Sequence, residues 1–502
     1  MILPLFRKEK SSLLLWLVCA MSSLGPIGFM PLSAQNTWTK TLPGVGTFSS
    51  PRIADLNGDK VGDIIMGAGR QEFHSCDSAV IALDGRDGTL LWKVSAKDQV
   101  FGSAALHDIN GDGVLDPVIG GRSAELIAIN GATGEVIWRF SAKELKNNKD
   151  KKGWFNFYNP QFIPDQDNDG VDDILVSNGG NVMAEPYDPN RPAGYLVVFS
   201  GKNGALLARA EMPDGKEIYM SLTVSKIPGL DDYEVVFGTG GETIGGHLYC
   251  GQLSDIMKGD LSKAILLDSS ENRGYIGPAA RVDITSDGIT DIIVNAVNGR
   301  LLAFDGSDHQ LIWEVVRPNT ESYSSIAVGY FTEDTIPDFF VSYAQGVWPK
   351  LDWNTQFMVD GKKGTIEFVD SLGYNQILTP VVLDWDNDGR DEVLMSINFQ
   401  EIDEIYQKFF YNTIAIVDFK TKEVLQLGEA YEGNNFSSTP WIGDLDGNGR
   451  LDIIYCHATN LRHTYTFDGF QVHRIATDLP LLKPIRWGAY QGSQYDGVFR
   501  KN

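Results

Sequence analysis

From Trp38 onward the hydrophobic positions of the chain fall into short β-branched and apolar runs such as Ile174-Leu175-Val176, bounded by Asp, Asn and Gly. Runs of this length with polar turn residues on either side predict strands. Two signatures alternate between them. One is a hairpin of the form apolar-x-Asp-Gly-x-x-Gly-x-x-x-Trp, as in Leu83-Asp84-Gly85-Arg86-Asp87-Gly88-Thr89-Leu90-Leu91-Trp92, where the Asp-Gly and the trailing Gly supply turn geometry between two alternating strands. The other is an acidic loop, clearest at Asp165-Gln166-Asp167-Asn168-Asp169-Gly170-Val171-Asp172-Asp173.

That loop carries oxygen ligands at positions 1, 3, 5 and 9 and Gly at 6, which permits the sharp turn that brings alternate side chains to one point. Hard oxygens at this density suit Ca²⁺, and unneutralised they would repel one another. Six copies supply the ligand sets Asp55, Asn57, Asp59 and Asp63; Asp108, Asn110, Asp112 and Asp116; Asp165, Asp167, Asp169 and Asp173; Asp283, Thr285, Asp287 and Asp291; Asp384, Asp386, Asp388 and Glu392; and Asp444, Asp446, Asn448 and Asp452. Position 7 is expected to ligate through its carbonyl. Lys60 replaces the turn Gly in the first copy, and Thr285 lowers the ligand charge of the fourth, so both are expected to bind more weakly. An EF-hand would place a bidentate Glu at position 12 on a helix. Here position 12 is Met66, Ile119, Val176, Val294, Met395 or Tyr455, inside a predicted strand, which excludes that reading.

Two degenerate copies fill the gaps. Residues 226–234 keep only the final carboxylate, Glu234, and residues 330–338 keep Asp334 and Asp338. Loop starts are then 47 to 61 residues apart, with a hairpin in each interval. A period of about four short strands is the content of one propeller blade. The chain is therefore expected to be an all-β, eight-bladed β-propeller of four-stranded blades, or seven-bladed if one degenerate unit is not a blade. Trp38 stands before Asp55 much as Trp92 stands before Asp108, so the N-terminal strand is expected to be an outer strand closing the ring against the last blade.

The acidic loops with Gly-rich flanks (Phe237-Gly238-Thr239-Gly240; Phe101-Gly102-Ser103-Ala104) resemble the FG-GAP repeats of the integrin α-subunit propeller. The Asp-Gly…Gly…Trp hairpins resemble the blades of pyrroloquinoline-quinone (PQQ) propellers. The tail Trp487-Gly488-Ala489-Tyr490-Gln491-Gly492…Asp496-Gly497-Val498 is similar to a segment at the edges of such propellers in bacterial secreted proteins. The resemblance implies structural calcium. Quinone chemistry would need an adjacent cysteine pair and matching acids that this sequence lacks, so no PQQ is expected.

Composition narrows the setting. A formal net charge of −24 argues against nucleic-acid or anionic-membrane binding. Arg7, Lys8 and Lys10 precede an apolar run and Leu32-Ser33-Ala34, the pattern of a secretory signal over residues 1–34, with residues 35–502 as one propeller domain. An uncleaved anchor is the alternative; after cleavage no membrane span is expected. Cys76, Cys250 and Cys456 are far apart and odd in number, which fits buried small hydrophobes better than a disulfide scaffold or zinc ribbon. No H-x-x-x-H, HExxH or G-x-S-x-G spacing occurs, so no catalytic residue is assigned.

If the acidic loops join the first two strands of each blade, the loops joining the second and third emerge on the opposite face. Those loops carry Arg70, Arg122, Tyr187, Trp348, Trp353, Tyr406, His457 and Arg462. Rings with interspersed charges could make a carbohydrate or peptide platform, or could simply pack on one another. The insertion 142–164, lysine-rich and then Trp154-Phe155-Asn156-Phe157-Tyr158, reaches the same face as core-packing aromatics or as a lid. The sequence thus predicts a monomeric, secreted, calcium-stabilised binding or scaffold module outside the cell or in a bacterial cell envelope (periplasm or surface), taking a carbohydrate or protein ligand. The alternative is a calcium-dependent polysaccharide lyase or hydrolase.

Overall fold

The computed structural model describes residues 36–146, 152–374, 376–462 and 464–501. The expected signal segment and residues 147–151 of the lysine-rich insertion lie outside them. The described residues form eight antiparallel sheets, each with a path of four strands. Blade 1 is Arg52–Ala54, Asp63–Gly67, Cys76–Leu83 and Leu90–Ala96. Blades 2 to 7 repeat this order, beginning at Ala105, Gln161, Thr223, Ala280, Ala327 and Val381. Both degenerate units are full blades, 4 and 6, so the ring has eight and not seven.

Blade 8 takes three strands from the C-terminal region, Trp441–Gly443, Arg450–Ala458 and Gly469–Pro480, and its outermost from the N-terminal strand Trp38–Pro43. Trp38 pairs with Arg474 and Pro43 with Gly469, so chain ends some 430 residues apart close the ring, leaving no open sheet edge at the joint.

Burial explains the sequence pattern. Second strands such as Asp63–Gly67 and Asp291–Ala296 are buried along their whole length, because both faces of each sheet pack on neighbouring blades. Val118, Leu126 and Trp138 of blade 2 share a core with Ile174, Val176 and Phe199 of blade 3. Each such aliphatic side chain contributes about 1.5–3 kcal/mol on full burial. Outer strands alternate instead, as in Leu90–Ala96, since one face meets water.

The hairpin signature also joins blades. The indole N–H of Trp92 donates to Gly131 O of the next blade at 2.7 Å, that of Trp138 to Gly201 O at 2.7 Å, that of Trp313 to Gly361 O at 2.8 Å, and that of Trp38 to Gly85 O at 3.0 Å. Each ring lies over the trailing hairpin Gly of that next blade: a Cβ on Gly134 would stand 2.5 Å from Trp92.

The tail is not at an edge, as its resemblance suggested. Residues 487–499 touch the first strands of several blades: Val382 N–H donates to Trp487 O, Ile442 N–H to Gly488 O, Arg52 Nη1 to Tyr490 O, Gln161 Nε2 to Tyr495 O, and Phe499 N–H to Arg281 O. A segment reaching inner strands of blades 1, 3, 5, 7 and 8 occupies the middle of the ring. Its apolar side chains explain this, since Trp487, Ala489 and Phe499 are buried and fill the space the inner strands leave. Arg52, 1% exposed, lies 4.1 Å from the Tyr495 ring centre, and burial pulls its pKa down to about 10. Lys483 and Lys501, flanking the tail, reach Asp384 (2.7 Å) and Asp283 (3.3 Å), so this plug lies toward the acidic loops.

Candidate functional site

Every acidic loop joins the first two strands of its blade. Within the loop of blade 3, Asp165 Oδ1 accepts the N–H groups of Asp167, Asn168 and Asp169, and Oδ2 accepts that of Gly170 at 2.8 Å. These four donors, Gly170 foremost, hold the Asp165 carboxyl below its usual range. The loop thus points its oxygens inward. Ligand oxygens of Asp165, Asp167 and Asp173 lie within 4.8 Å of one another, as do those of Asp384, Asp386 and Glu392, and of Asp444, Asp446 and Asp452. Two positions in each loop are left-handed. Position 6 is Gly170 (φ 90°) or its equivalents, but Lys60 (φ 69°) in blade 1; position 4 is Gly58, Gly111 and Gly447 or Asn168, Ser286 and Asn387. The need at position 4 was not read from the sequence, although Asn and Gly there are its signal.

Position 9 has a second task. Asp63 Oδ2 accepts Leu56 N–H and Oδ1 accepts Gly85 N–H, tying the loop to the hairpin of its own blade. Asp116, Asp173, Asp291 and Asp338 make the same pair of contacts with Gly131, Gly201, Gly306 and Gly361. Burial raises the Asp63 and Asp173 pKa to about 6 and that of Glu392 to about 8. The loops differ in their basic neighbours. Arg86 pairs with Asp59 (2.7 Å), Lys420 with Asp388, Lys483 with Asp384 and Arg474 with Asp446 (2.6 Å). Asp112 meets instead the Asn130 amide, and Asp169 the Ser200 hydroxyl.

On the opposite face the second-to-third-strand loops converge with the connections between blades. Arg122 pairs with Glu72 and lies 4.6 Å from the Phe101 ring centre; Phe101 meets Tyr158, and Tyr158 meets Tyr219 edge-on. Arg191, from the loop of blade 3, donates to Glu217 (2.8 Å), Tyr219 Oη (3.0 Å) and Thr243 Oγ1 (3.4 Å). Arg273 donates to Glu321 (2.8 Å), whose other oxygen accepts the Tyr323 hydroxyl and the Trp348 N–H (3.0 Å). Tyr187 Oη donates to Trp348 O at 3.4 Å, so the loop of blade 3 crosses past blades 4 and 5 to reach blade 6. Burial, followed by nearby carboxylates including Glu242, pushes the phenols of Tyr219, Tyr323 and Tyr465 up; burial likewise raises Glu217. Here paired guanidinium and carboxylate groups stand among aromatic rings, able to orient hydroxyl or amide groups and to stack on apolar faces.

Of the residues expected on this face, Arg122, Tyr187 and Trp348 belong to this network. Tyr406, 88% exposed, lies at a hairpin tip of blade 7, where Arg462 meets Gln407 and the Phe409 ring. Exposed Arg70 engages through its carbonyl, which accepts Phe467 N–H, and half-exposed Trp353 bridges to Tyr374. His457 is not on the face. It is 2% exposed inside the second strand of blade 8, its Nε2 3.1 Å from His473 Nε2, and burial lowers its pKa to about 4. The strand Arg450–Ala458 runs further than the apolar run suggested and is buried from Leu451 onward, so His457 lies in the packed sheet. The described aromatic end of the insertion packs into the core: Trp154 lies against Phe140, Phe157 and Phe199. Glu217, Tyr219, Arg273 and Glu321 were missed, because they sit on connections between blades that carry no motif.

The family model described as the FAM234A/B beta-propeller matches residues 38–230. Protein FAM234B of Gallus gallus is 24% identical over 387 residues, covering 70% of this chain and 56% of its own length, so the chain spans little more than half of that relative. Among solved structures, the quinohemoprotein alcohol dehydrogenase of Comamonas testosteroni is similar with a TM-score of 0.56 at 12% identity, over 89% of this chain and 77% of its own. The Bacillus licheniformis rhamnogalacturonan lyase is similar with a TM-score of 0.53 at 13% identity, over 93% and 81%. At such identities the likeness is one of fold.

Proposed function

We propose that this chain is an extracytoplasmic binding module, secreted or held at the cell envelope, whose propeller is stiffened by Ca²⁺ in the acidic loops and whose opposite face takes a carbohydrate. The observation that carries the reading is the network of Arg191, Arg273, Glu217 and Glu321 among Tyr187, Tyr219, Tyr323 and Trp348. Charges already fixed by partners give hydroxyl groups directional contacts without new ordering, and rings offer stacking surface. Among the described residues no helix is long and apolar enough to cross a membrane.

The test is a glycan array probed with the mature protein in calcium. Binding by the natural protein that Trp348→Ala or Tyr187→Ala weakens about tenfold or more supports the assignment. Absence of glycan binding, with capture of a peptide ligand instead, replaces carbohydrate by protein as the ligand class. Chromatography of bound polysaccharide after incubation separates a binder from a lyase or hydrolase, and N-terminal sequencing decides between a cleaved leader and a retained anchor.

A further inference from the structure

The seam between blades 4 and 5 departs from those built on a Trp and a trailing Gly. At four seams the trailing Gly of the hairpin (Gly88, Gly134, Gly204 or Gly364) receives a Trp ring from the preceding blade. Blade 4 offers no Trp in its outer strand Ile265–Ser270, and the hairpin of blade 5 has His309 where those glycines stand. His309 keeps their left-handed backbone at φ 64°, a conformation that favours glycine; of the other hairpins, only that of blade 7 also has a side chain there, Lys422. The ring turns back into blade 4, and Nε2 stands 2.6 Å from Glu234 Oε1.

Glu234 is the single acid left at a ligand position (1, 3, 5 or 9) of the degenerate loop of blade 4, and Cys250 lies on the neighbouring strand, paired through Val236. One ligand atom each from Glu234, Cys250 and His309 lies within 4.8 Å of the others. Arg281 of blade 5 binds Glu234 Oε2, leaving Oε1 toward His309, and donates to Ser225 Oγ. Its Nε and Nη1 are buried with no hydrogen-bond partner among the described residues. The Glu234 and His309 side chains are 13% and 18% exposed, so the group opens to solvent on one side.

We propose that Glu234, Cys250 and His309 form a binding site for a thiophilic divalent transition metal of the Zn²⁺ class, separate from the acidic loops. The donor set of one sulfur, one imidazole nitrogen and one carboxylate oxygen suits that class and does not suit Ca²⁺. Binding releases the Cys250 thiol proton to solvent and forms a metal–thiolate bond, and water completes the coordination from the open side. The thiolate gives the buried Arg281 donors an anion to face, and Arg281 on the distal carboxylate oxygen orients Glu234 as an outer-shell partner does. Glu234⁻, the Cys250 thiolate and Arg281⁺ leave the site with one negative charge before the metal enters.

The test titrates Co²⁺ into the mature protein with excess Ca²⁺ present, so that oxygen loops are filled. The natural protein is expected to bind one Co²⁺ with sulfur-to-cobalt charge-transfer absorption, and Zn²⁺ is expected to abolish that absorption stoichiometrically. Cys250→Ser removes the band. His309→Gly restores the residue type its backbone favours, so it is expected to fold at least as well as the natural chain while losing more than about a hundredfold in affinity, the upper range for outer-shell losses. A natural protein with no sulfur band, or a band of equal strength in Cys250→Ser, or unchanged affinity in folded His309→Gly, overturns the site.

Discussion

The loops at residues 165–173 and 330–338 occupy equivalent places in blades 3 and 6, yet one has its full set of acids and the other has Tyr330, Thr332, Asp334 and Asp338. Their position 9 contacts are the same in kind. Asp173 accepts Gln166 N–H at 2.6 Å and Gly201 N–H at 3.1 Å; Asp338 accepts Phe331, Thr332 and Gly361 N–H groups at 2.8–3.0 Å. Position 1 differs. Asp165 gathers four N–H groups of its own loop with its carboxylate, whereas Tyr330 has no carboxylate there. Its backbone exchanges hydrogen bonds with Asp391 of the next blade's loop, donating its N–H to Oδ2 at 2.8 Å and accepting the Asp391 N–H at 2.9 Å. A blade therefore forms without the acids at positions 1 and 3 but retains the one at 9. Position 9 serves the fold first; positions 1, 3 and 5 are the ones at which the proposed cation would bind.

Chelation should separate the loops most strongly. A site held at a hundred times its dissociation constant contributes about 2.7 kcal/mol by linkage, and several filled loops add up. The melting temperature is expected to fall by many degrees in excess chelator. Asp165→Asn should reduce that fall, because blade 3 no longer contributes, and Asp334→Asn in blade 6 should leave it unchanged. A melting temperature indifferent to chelation in a protein shown to contain calcium would remove the metal from the account.

The next effect tests position 9. Asp338→Ala strands three backbone donors in the interior, each costing about 1–3 kcal/mol, for a total of about 3 kcal/mol or more. Chemical denaturation in chelator should show a comparable loss for Asp173→Ala, since neither cost then involves a metal. A loss under about 1 kcal/mol for Asp338→Ala would show the staple to be dispensable.

Acid should act on the two loops with opposite sign. Burial raises the Asp338 pKa from its ordinary 3.8 to about 6, so the folded state holds that proton more tightly than the unfolded chain does. The stability this gives is full below pH 4 and is lost as pH rises through 6, a change of up to about 3 kcal/mol. Asp165, held below its usual range by its four N–H donors, contributes stability present above the ordinary carboxylate pKa and lost as pH falls. Compared in chelator, the natural protein should gain on Asp338→Asn between pH 6 and 4 and lose on Asp165→Asn when acidified further. Parallel pH profiles for the two variants would contradict both assignments.

The two loops also show why some of the molecule could be read from its sequence and some could not. The acidic loops, the hairpins with Trp92 and Trp138, and the closing strand after Trp38 are local patterns with a fixed spacing, and they determine strand order and blade count. The Gly131 carbonyl that receives Trp92, and the Gly201 N–H that reaches Asp173, are partners lying tens of residues away. Their positions follow only once the ring is assembled. The network on the opposite face is less legible still, because Arg191, Glu217, Arg273 and Glu321 come from connections of irregular length and pair only with residues of neighbouring connections. His457 was misplaced because the extent of its strand depends on pairing with Gly469–Pro480.

The smallest effect concerns the turn itself. Residues 55–60 follow the Asp165 pattern, but Lys60 holds at φ 69° the place that Gly170 holds at φ 90°. A side chain in the left-handed region costs about 1–2 kcal/mol, while glycine costs about 0.5–1 kcal/mol in unfolded-chain entropy. Lys60→Gly should therefore stabilise the chelated protein by about 0.5–1 kcal/mol. It should also strengthen calcium binding in blade 1, since the apo loop would no longer resist the ligating turn and one cation beside four ligands is gone. Arg86 remains on Asp59 and limits that gain. Calorimetric titration of Lys60→Gly against the natural protein reads both quantities, and an unchanged stability would mean that the loop of blade 1 relaxes where that of blade 3 does not.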